Sequence, residues 1–235
     1  MATFLLAHGA WSAAWAWKKM RPLMAAAGHT FVAPTCTGLG ERAHLATPAI
    51  DLETHVGDLL AVLHYEDLHD VVLVAHSYGG MVATGVADRA AERIAQLIYL
   101  DAFVPRDGQS LADLVPAAQR ERMRAAAAQG DGWRVPPNPT PADTSPEDAT
   151  WIADRRLPQP LKCFEQPLRL HHGEPVLPRA YIRAVRYPSV TFDRCAERAR
   201  SERGWRSFEI DATHSPNVTA PRELMALLDR VAGAR

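Results

Sequence analysis

Asp70-Val71-Val72-Leu73-Val74-Ala75-His76-Ser77-Tyr78-Gly79-Gly80 decides the fold of this 235-residue chain. Residues 71–75 are apolar without a polar alternation, and three of the five are β-branched valines. Such a run predicts a strand covered on both faces, as in a parallel sheet. His76 to Gly80 then turn the chain into a helix expected from Met81 to about Ala90. A serine between small residues, on a tight strand-to-helix turn, has the form of a nucleophile elbow. The backbone at Ser77 must be strained for its hydroxyl to stand clear of the sheet edge, so residues two positions away must be small. Ala75 stands where the usual motif has glycine. Alanine keeps the volume low at a position that does not need a positive φ, and Gly79-Gly80 preserve the other side. The plain alternative is a serine that merely begins a helix, as in many strand-to-helix turns; the buried strand before it and the helix after it favour the elbow. His76 adjoins the serine, but a neighbour on so sharp a turn points away from it.

Outward from the elbow, strands and helices alternate. Thr3 to Ala7 reads as a buried strand stopped by His8-Gly9, and residues 11–27 read as helical, closed by Gly28. Residues 30–33 suit a short strand and 36–50 a loop. Residues 51–63 carry Leu52, Val56, Leu59, Leu60 and Leu63 at helical spacing. Ile94 to Leu100 is a further strand that ends at Asp101. This alternation predicts a doubly wound parallel sheet. The texture changes after Pro105: residues 111–129 are alanine- and arginine-rich and helical, 130–146 are rich in proline, and no strand is evident until 180–185. Residues 104–170 therefore read as an inserted cap. Residues 1–103 and 171–235 form the core, with one structural domain overall. Trp205 to Ile210 makes the last strand and residues 221–231 the closing helix.

Composition narrows the function classes. Apolar residues make up 47% and charged residues 23%, as in soluble globular proteins, and the net charge of -1 lacks the basic excess that nucleic-acid phosphates require. No stretch nears the roughly 20 apolar residues of a membrane span, and the first residues lack the basic start of a signal peptide. Cys36, Cys163 and Cys195 are odd in number and unrelated in spacing, which suits reduced thiols in the cytoplasm. His171-His172 read as a solvated pair of adjacent histidines, and no metal and no cofactor is expected. The expected partner is a small molecule rather than a nucleic acid or a membrane, and a homodimer stays open.

A serine nucleophile needs a histidine base, and of the ten histidines His214 alone lies after the last strand and before the final helix. An oxyanion hole needs two backbone N–H groups. Tyr78, after the nucleophile, supplies one; Ala10, in the loop after the first strand, supplies the other. Trp133, Trp151 and Phe164 in the cap are candidates for the substrate pocket, with core packing as their alternative role.

Leu6-Ala7-His8-Gly9-Ala10-Trp11, Gly38-Leu39-Gly40-Glu41-Arg42, Ala75 to Gly80 and Leu100-Asp101-Ala102-Phe103-Val104-Pro105 resemble the α/β-hydrolase group that includes plant methyl esterases and hydroxynitrile lyases. The resemblance is closer still to bacterial esterases of that group, spans the core and is weakest in the cap. It implies an α/β-hydrolase fold: a six-stranded, mostly parallel sheet flanked by helices, with a small helical cap. Two departures stand out. Plant members place the triad aspartate after the strand that follows the cap, where this chain reads Ala180-Tyr181-Ile182-Arg183-Ala184-Val185-Arg186-Tyr187. Asp101, 24 residues after Ser77 at a position some α/β-hydrolases use, is the best substitute; Asp193 and Asp211 are runners-up, and a cap of the following turn is the alternative role for Asp101. The lyases of the group carry a threonine in the oxyanion loop and a lysine beside the histidine, where this chain has Gly9 and Ser215. The expectation is a serine carboxylesterase acting through Ser77, His214 and Asp101 on small-to-medium apolar esters. Lyase-like C–C cleavage and a non-catalytic ligand-binding role are the alternatives.

Overall fold

The computed structural model describes residues 1–141 and 143–233. The apolar run before the elbow forms β3 (Val71–His76), buried along its whole length. Its side chains alternate between two cores: Val71, Leu73 and Ala75 face one, Val72 and Val74 the other. That is why the sequence shows no polar alternation. The same division runs through β1 (Thr3–Ala7) and β4 (Ile94–Leu100): Leu5, Ala7, Leu97 and Tyr99 face one side, and Phe4, Leu6, Ile98 and Leu100 the other. Each such Val or Leu side chain contributes about 1.5–3 kcal/mol when fully buried.

With β2 (Thr30–Val32), β7 (Arg179–Ala184) and β8 (Trp205–Ile210), these strands make a six-stranded sheet in the order β2-β1-β3-β4-β7-β8. Every adjacent pair is parallel, so all strands end at one edge. The chain winds to β2 on one side of β1 and to β3 on the other, and the crevice outside such a switch is where open parallel sheets bind ligands. Helices α1 (Met20–Ala26) and α10 (Pro221–Gly233) cover one face, the short α9 (Pro216–Thr219) leading into α10. Helices α2 (Leu52–Tyr65), α3 (Gly79–Arg89) and α8 (Val190–Ser201) cover the other. α2 begins where sequence predicts because Asp51 and Thr54 form a reciprocal capping box, a feature worth about 1 kcal/mol.

Three expectations need correction. Residues 11–27 are not one helix: a 3-10 turn over Ala14–Trp17 precedes α1, and Gly28 closes α1 with φ +75°. Residues 111–129 split into α4 (Leu111–Leu114) and α5 (Ala117–Gln129), because Pro116 forces Val115 into an extended conformation. The segment between β4 and β7 also holds two strands, β5 (Arg134–Val135) and β6 (Gln159–Pro160), paired antiparallel. At two residues each they are too short for a periodic signal. α6 (Pro146–Ala153), capped by Ser145, and α7 (Lys162–Glu165) complete this segment. Among the described residues no helix is long and apolar enough to cross a membrane.

Candidate active site

The parallel sheet brings the residues following β1, β3, β4 and β8 to one edge. Ser77 follows β3 with φ +54°, Asp101 follows β4 with φ +43°, and Trp11 lies beyond β1 with φ +57°. Left-handed backbone at a non-glycine residue costs on the order of 1–3 kcal/mol and persists only where its surroundings enforce it. At Ser77 they do: its carbonyl accepts from the N–H groups of Gly80 (3.0 Å) and Phe103 (3.1 Å). The two glycines that follow have no substitute. A Cβ at Gly79 would lie 2.0 Å from the Ala7 carbonyl oxygen, and one at Gly80 1.9 Å from that of Phe103. Ala75, the departure from the usual motif, is fully buried in β3, where its extended backbone accepts a methyl group.

Three side chains from three segments are joined in series. Ser77 Oγ lies 2.8 Å from His214 Nε2, and His214 Nδ1 lies 2.7 Å from Asp101 Oδ2. A carboxylate only accepts, so Nδ1 carries the ring hydrogen and Nε2 is left to accept the serine hydroxyl's proton. The imidazole stacks against Tyr187 (centroids 4.8 Å apart) and Phe192 (5.1 Å), which fixes its plane. Of the carboxylates weighed in the sequence, Asp101 is the one His214 meets. Asp193 bonds Arg183, and Asp211 pairs with Arg186.

Sequence reasoning missed Arg183. It lies on β7, in the stretch that lacks the carboxylate of the plant members, and is almost fully buried. Its Nη1 donates to Asp101 Oδ1 at 2.7 Å and its Nε to Asp193 at 2.9 Å, and the Ala184 N–H adds a bond to Asp101 Oδ1 at 3.2 Å. Asp101 is thus held on one oxygen by Arg183 and β7 and offers the other to His214. Burial pulls the Arg183 pKa down, but Asp101 and Asp193 outweigh it and hold the guanidinium above its ordinary value. The signal was present as an arginine inside an otherwise apolar strand.

His76, His55 and His8 have pKa values lowered by burial and hold the backbone and Tyr78 in place. His76 Nε2 donates to the His214 carbonyl oxygen at 2.7 Å, and burial pushes its pKa down to about 3. The turn directs it away from the serine, as expected, and onto the backbone of His214. His55 donates from Nε2 to the Thr37 carbonyl and accepts the Tyr78 hydroxyl at Nδ1; burial lowers its pKa to about 4. His8 accepts the Cys36 N–H at Nε2 and donates from Nδ1 to the Gly9 carbonyl. His171 and His172 donate backbone N–H groups to Asp88.

A cleft of about 320 Å³ opens over Ser77 and His214. Gly9, Ala10 and Tyr78 line it, and among the described residues neither the Ala10 nor the Tyr78 amide N–H has a hydrogen-bond partner. Of the three cap aromatics proposed for the pocket, Phe164 lines the cleft. Trp133 and Trp151 are not among its described lining residues. Trp151 packs edge-on against Trp15, and Trp133 carries the Arg134 guanidinium over its ring. Among the described lining residues the tryptophans are Trp11, from the loop after β1, and Trp15, from the 3-10 turn that follows. Trp11 is fixed there by β5 and β6: its indole N–H donates to the Val135 carbonyl at 2.8 Å and its backbone N–H to Gln159 Oε1 at 2.9 Å.

An elbow serine bonded to a histidine from the last loop, at the carboxyl edge of a parallel sheet, defines the class, and comparison with known proteins agrees. The model of the alpha/beta hydrolase family matches residues 4–227. A carbendazim hydrolyzing esterase of Nocardioides sp. (strain SG-4G) is 40% identical over 234 residues, covering 95% of this chain and 97% of that enzyme. An alpha-hydroxynitrile lyase of Arabidopsis thaliana is 33% identical over 105 residues, covering 43% of this chain and 40% of that enzyme. An extracellular alpha/beta-hydrolase from a Paenibacillus species superposes with a TM-score of 0.88 at 22% identity, over 98% of this chain and 99% of that one, and so shares the fold. The chain belongs to the alpha/beta hydrolase family. Within it, the chain is a carboxylic ester hydrolase of the serine esterase type.

Proposed function

We propose that Ser77, His214 and Asp101 form the catalytic triad of this esterase, and that the Ala10 and Tyr78 amides form its oxyanion hole. The observation that carries this reading is the series of bonds Ser77–His214–Asp101, at 2.8 and 2.7 Å. His214 Nε2 takes the Ser77 proton as Oγ attacks the ester carbonyl carbon, and the carbonyl oxygen becomes an oxyanion facing the two free N–H groups. Each such donor contributes about 3–4 kcal/mol to lowering the barrier. His214 returns the proton to the departing alcohol, and the acyl group stays on Oγ. Water, deprotonated by His214, then releases the acid and restores the serine. Asp101 holds the tautomer and stabilises the imidazolium, and Arg183 is a positioning residue that holds Asp101.

Residues 104–170 act as the cap that closes this cleft, and the mainly apolar and aromatic lining suits a small-to-medium apolar ester. The lyase alternative is disfavoured by position 9 as well as by Ser215. A Cβ there would lie 3.0 Å from His76 Nδ1 and 3.2 Å from Ser77 Cβ, which leaves a threonine no room without displacement. Three free, buried cysteines suit a reducing compartment, and the proposed location is the cytoplasm.

The test is hydrolysis of p-nitrophenyl acetate and butyrate by the wild type and Ser77→Ala. Turnover is expected to fall by about four to six orders of magnitude in the variant, with the melting temperature retained and fluorophosphonate labelling lost. A folded wild type that neither turns over nor labels would move the reading to ligand binding.

A further inference from the structure

One side chain in the cleft has no place in this mechanism. Arg156, from the turn after α6, lines the same cavity as Ser77 and His214. Among the described lining residues it is the one with a fixed charge, and no aspartate or glutamate lines the cavity. Several other buried or half-buried guanidinium groups meet carboxylates: Arg183 meets Asp101, Arg89 meets Glu53 and Arg198 meets Glu202. Arg156 has no carboxylate within salt-bridge distance among the described residues. Its Nη1 donates to the Asn138 carbonyl at 2.6 Å, and its guanidinium carbon lies 5.6 Å from the centroid of the Trp11 ring. Burial, uncompensated by any acid, pushes its pKa below the ordinary value for arginine.

A half-buried cation without a counter-charge is unfavourable in the empty protein and becomes favourable when a ligand supplies the anion. The guanidinium is held on a rigid support, since Trp11 is fixed by bonds to Val135 and Gln159 and packs on Phe164 at 5.6 Å. Trp11 directly follows Ala10, so the charge stands on the oxyanion-loop side of the cleft. Around it the walls are aromatic: Trp11, Trp15, Phe103, Phe164, Tyr187 and Phe192. A planar guanidinium fork matches a carboxylate in geometry as well as charge. At about 320 Å³ the cleft is the size that takes a single substituted ring.

We propose that Arg156 forms an anion subsite, and that the preferred substrates are aromatic esters bearing a second, unesterified carboxylate. The proposal rests on the esterase reading and narrows it. The neutral ring is held by the aromatic walls, the free carboxylate by Arg156, and the ester by the Ala10–Tyr78 loop.

The experiment measures inhibition of p-nitrophenyl butyrate hydrolysis by monomethyl isophthalate and by its neutral counterpart, methyl 3-methylbenzoate. It is run with the wild type, Arg156→Gln and Arg156→Lys. In the wild type the half-ester is expected to compete at least tenfold more tightly than the neutral ester. The ratio should fall to near one in Arg156→Gln and recover in part in Arg156→Lys. Equal inhibition by the two esters in the wild type would overturn the proposal. So would an Arg156→Gln variant that weakens both esters alike, since that is the behaviour of an arginine that only ties the cap. The esterase reading fails separately, if p-nitrophenyl butyrate is not turned over in a Ser77-dependent way. In that case the same two compounds are compared by thermal shift, where an equal shift overturns the subsite.

Discussion

At the carboxyl edge of the sheet, the charge of Asp101 is buried and paired. Asp101 is fully inaccessible, yet it binds Arg183, the Ala184 amide and His214 at once. In the segment between β4 and β7 the charges on α5 largely face water, in contrast to Arg156. α5 buries one residue, Ala127, and the Arg124–Glu165 and Arg134–Asp131 pairs are a third or more exposed on at least one side. Such surface pairs contribute about 0–1 kcal/mol each, whereas removing one partner of a buried pair costs about 3–5 kcal/mol. The two regions divide the work accordingly. The sheet edge supplies a rigid geometry in which bonds of 2.7 and 2.8 Å are maintained. The outer segment supplies walls, and its sequence has more freedom to change with the substrate.

Asp101→Asn should break this contrast most sharply. It withdraws the acceptor that fixes the His214 tautomer and leaves Arg183 facing a neutral group. A loss of about four orders of magnitude in kcat is expected, with a stability loss of about 3–5 kcal/mol, read by ester hydrolysis and urea unfolding. An Asn variant within tenfold of wild-type activity would mean that the buried edge is scaffolding rather than machinery.

A second test uses pH. His55 and His76 have pKa values lowered by burial to about 4 and about 3, against about 6.5 in the unfolded chain. Between those values the unfolded state binds more protons, so stability falls as pH drops below about 6.5 and the loss levels off below the folded values. From pH 7 to pH 5 each histidine should cost on the order of 2 kcal/mol. Urea unfolding at the two pH values measures the sum, and His55→Gln should remove about half of the slope. A flat profile would show that the edge is more hydrated than its burial implies.

The smallest effect is expected where the outer segment is tied to the core. Lys19 reaches Asp148 on α6 at 2.6 Å, with the lysine side chain 40% exposed. Lys19→Ala should lower stability by less than about 1 kcal/mol and change kcat/KM by less than about twofold. A larger loss would mean that the two regions are coupled more tightly than their burial suggests.

The elements that were legible in sequence are those with a periodic or turn-chemical signal. β1, β4 and β8 match their expected limits, since uninterrupted apolar or β-rich runs bounded by turns leave few alternatives. The outer segment was less legible: a proline-rich stretch hides two-residue strands, and Pro116 divides what composition presents as one helix. At the site, Ser77 and His214 were legible from local context, the elbow for one and the loop after the last strand for the other. The tryptophans between β4 and β7 illustrate the opposite case. An aromatic side chain has no sequence signature for the direction it faces, and Trp133 and Trp151 turned elsewhere while Trp11 and Trp15 lined the cleft.

Sequence by itself determined the parallel sheet, the strained serine turn and the placement of one histidine after the last strand. All three follow from steric and periodic rules that act within a few residues. Only the tertiary structure decided which carboxylate meets that histidine, that Arg183 holds it, and that Arg156 enters the cleft without a counter-charge. The deciding contacts join residues 113 and 137 positions apart, and at such separations the partner is chosen by how the sheet and its loops pack, not by any local preference of the chain.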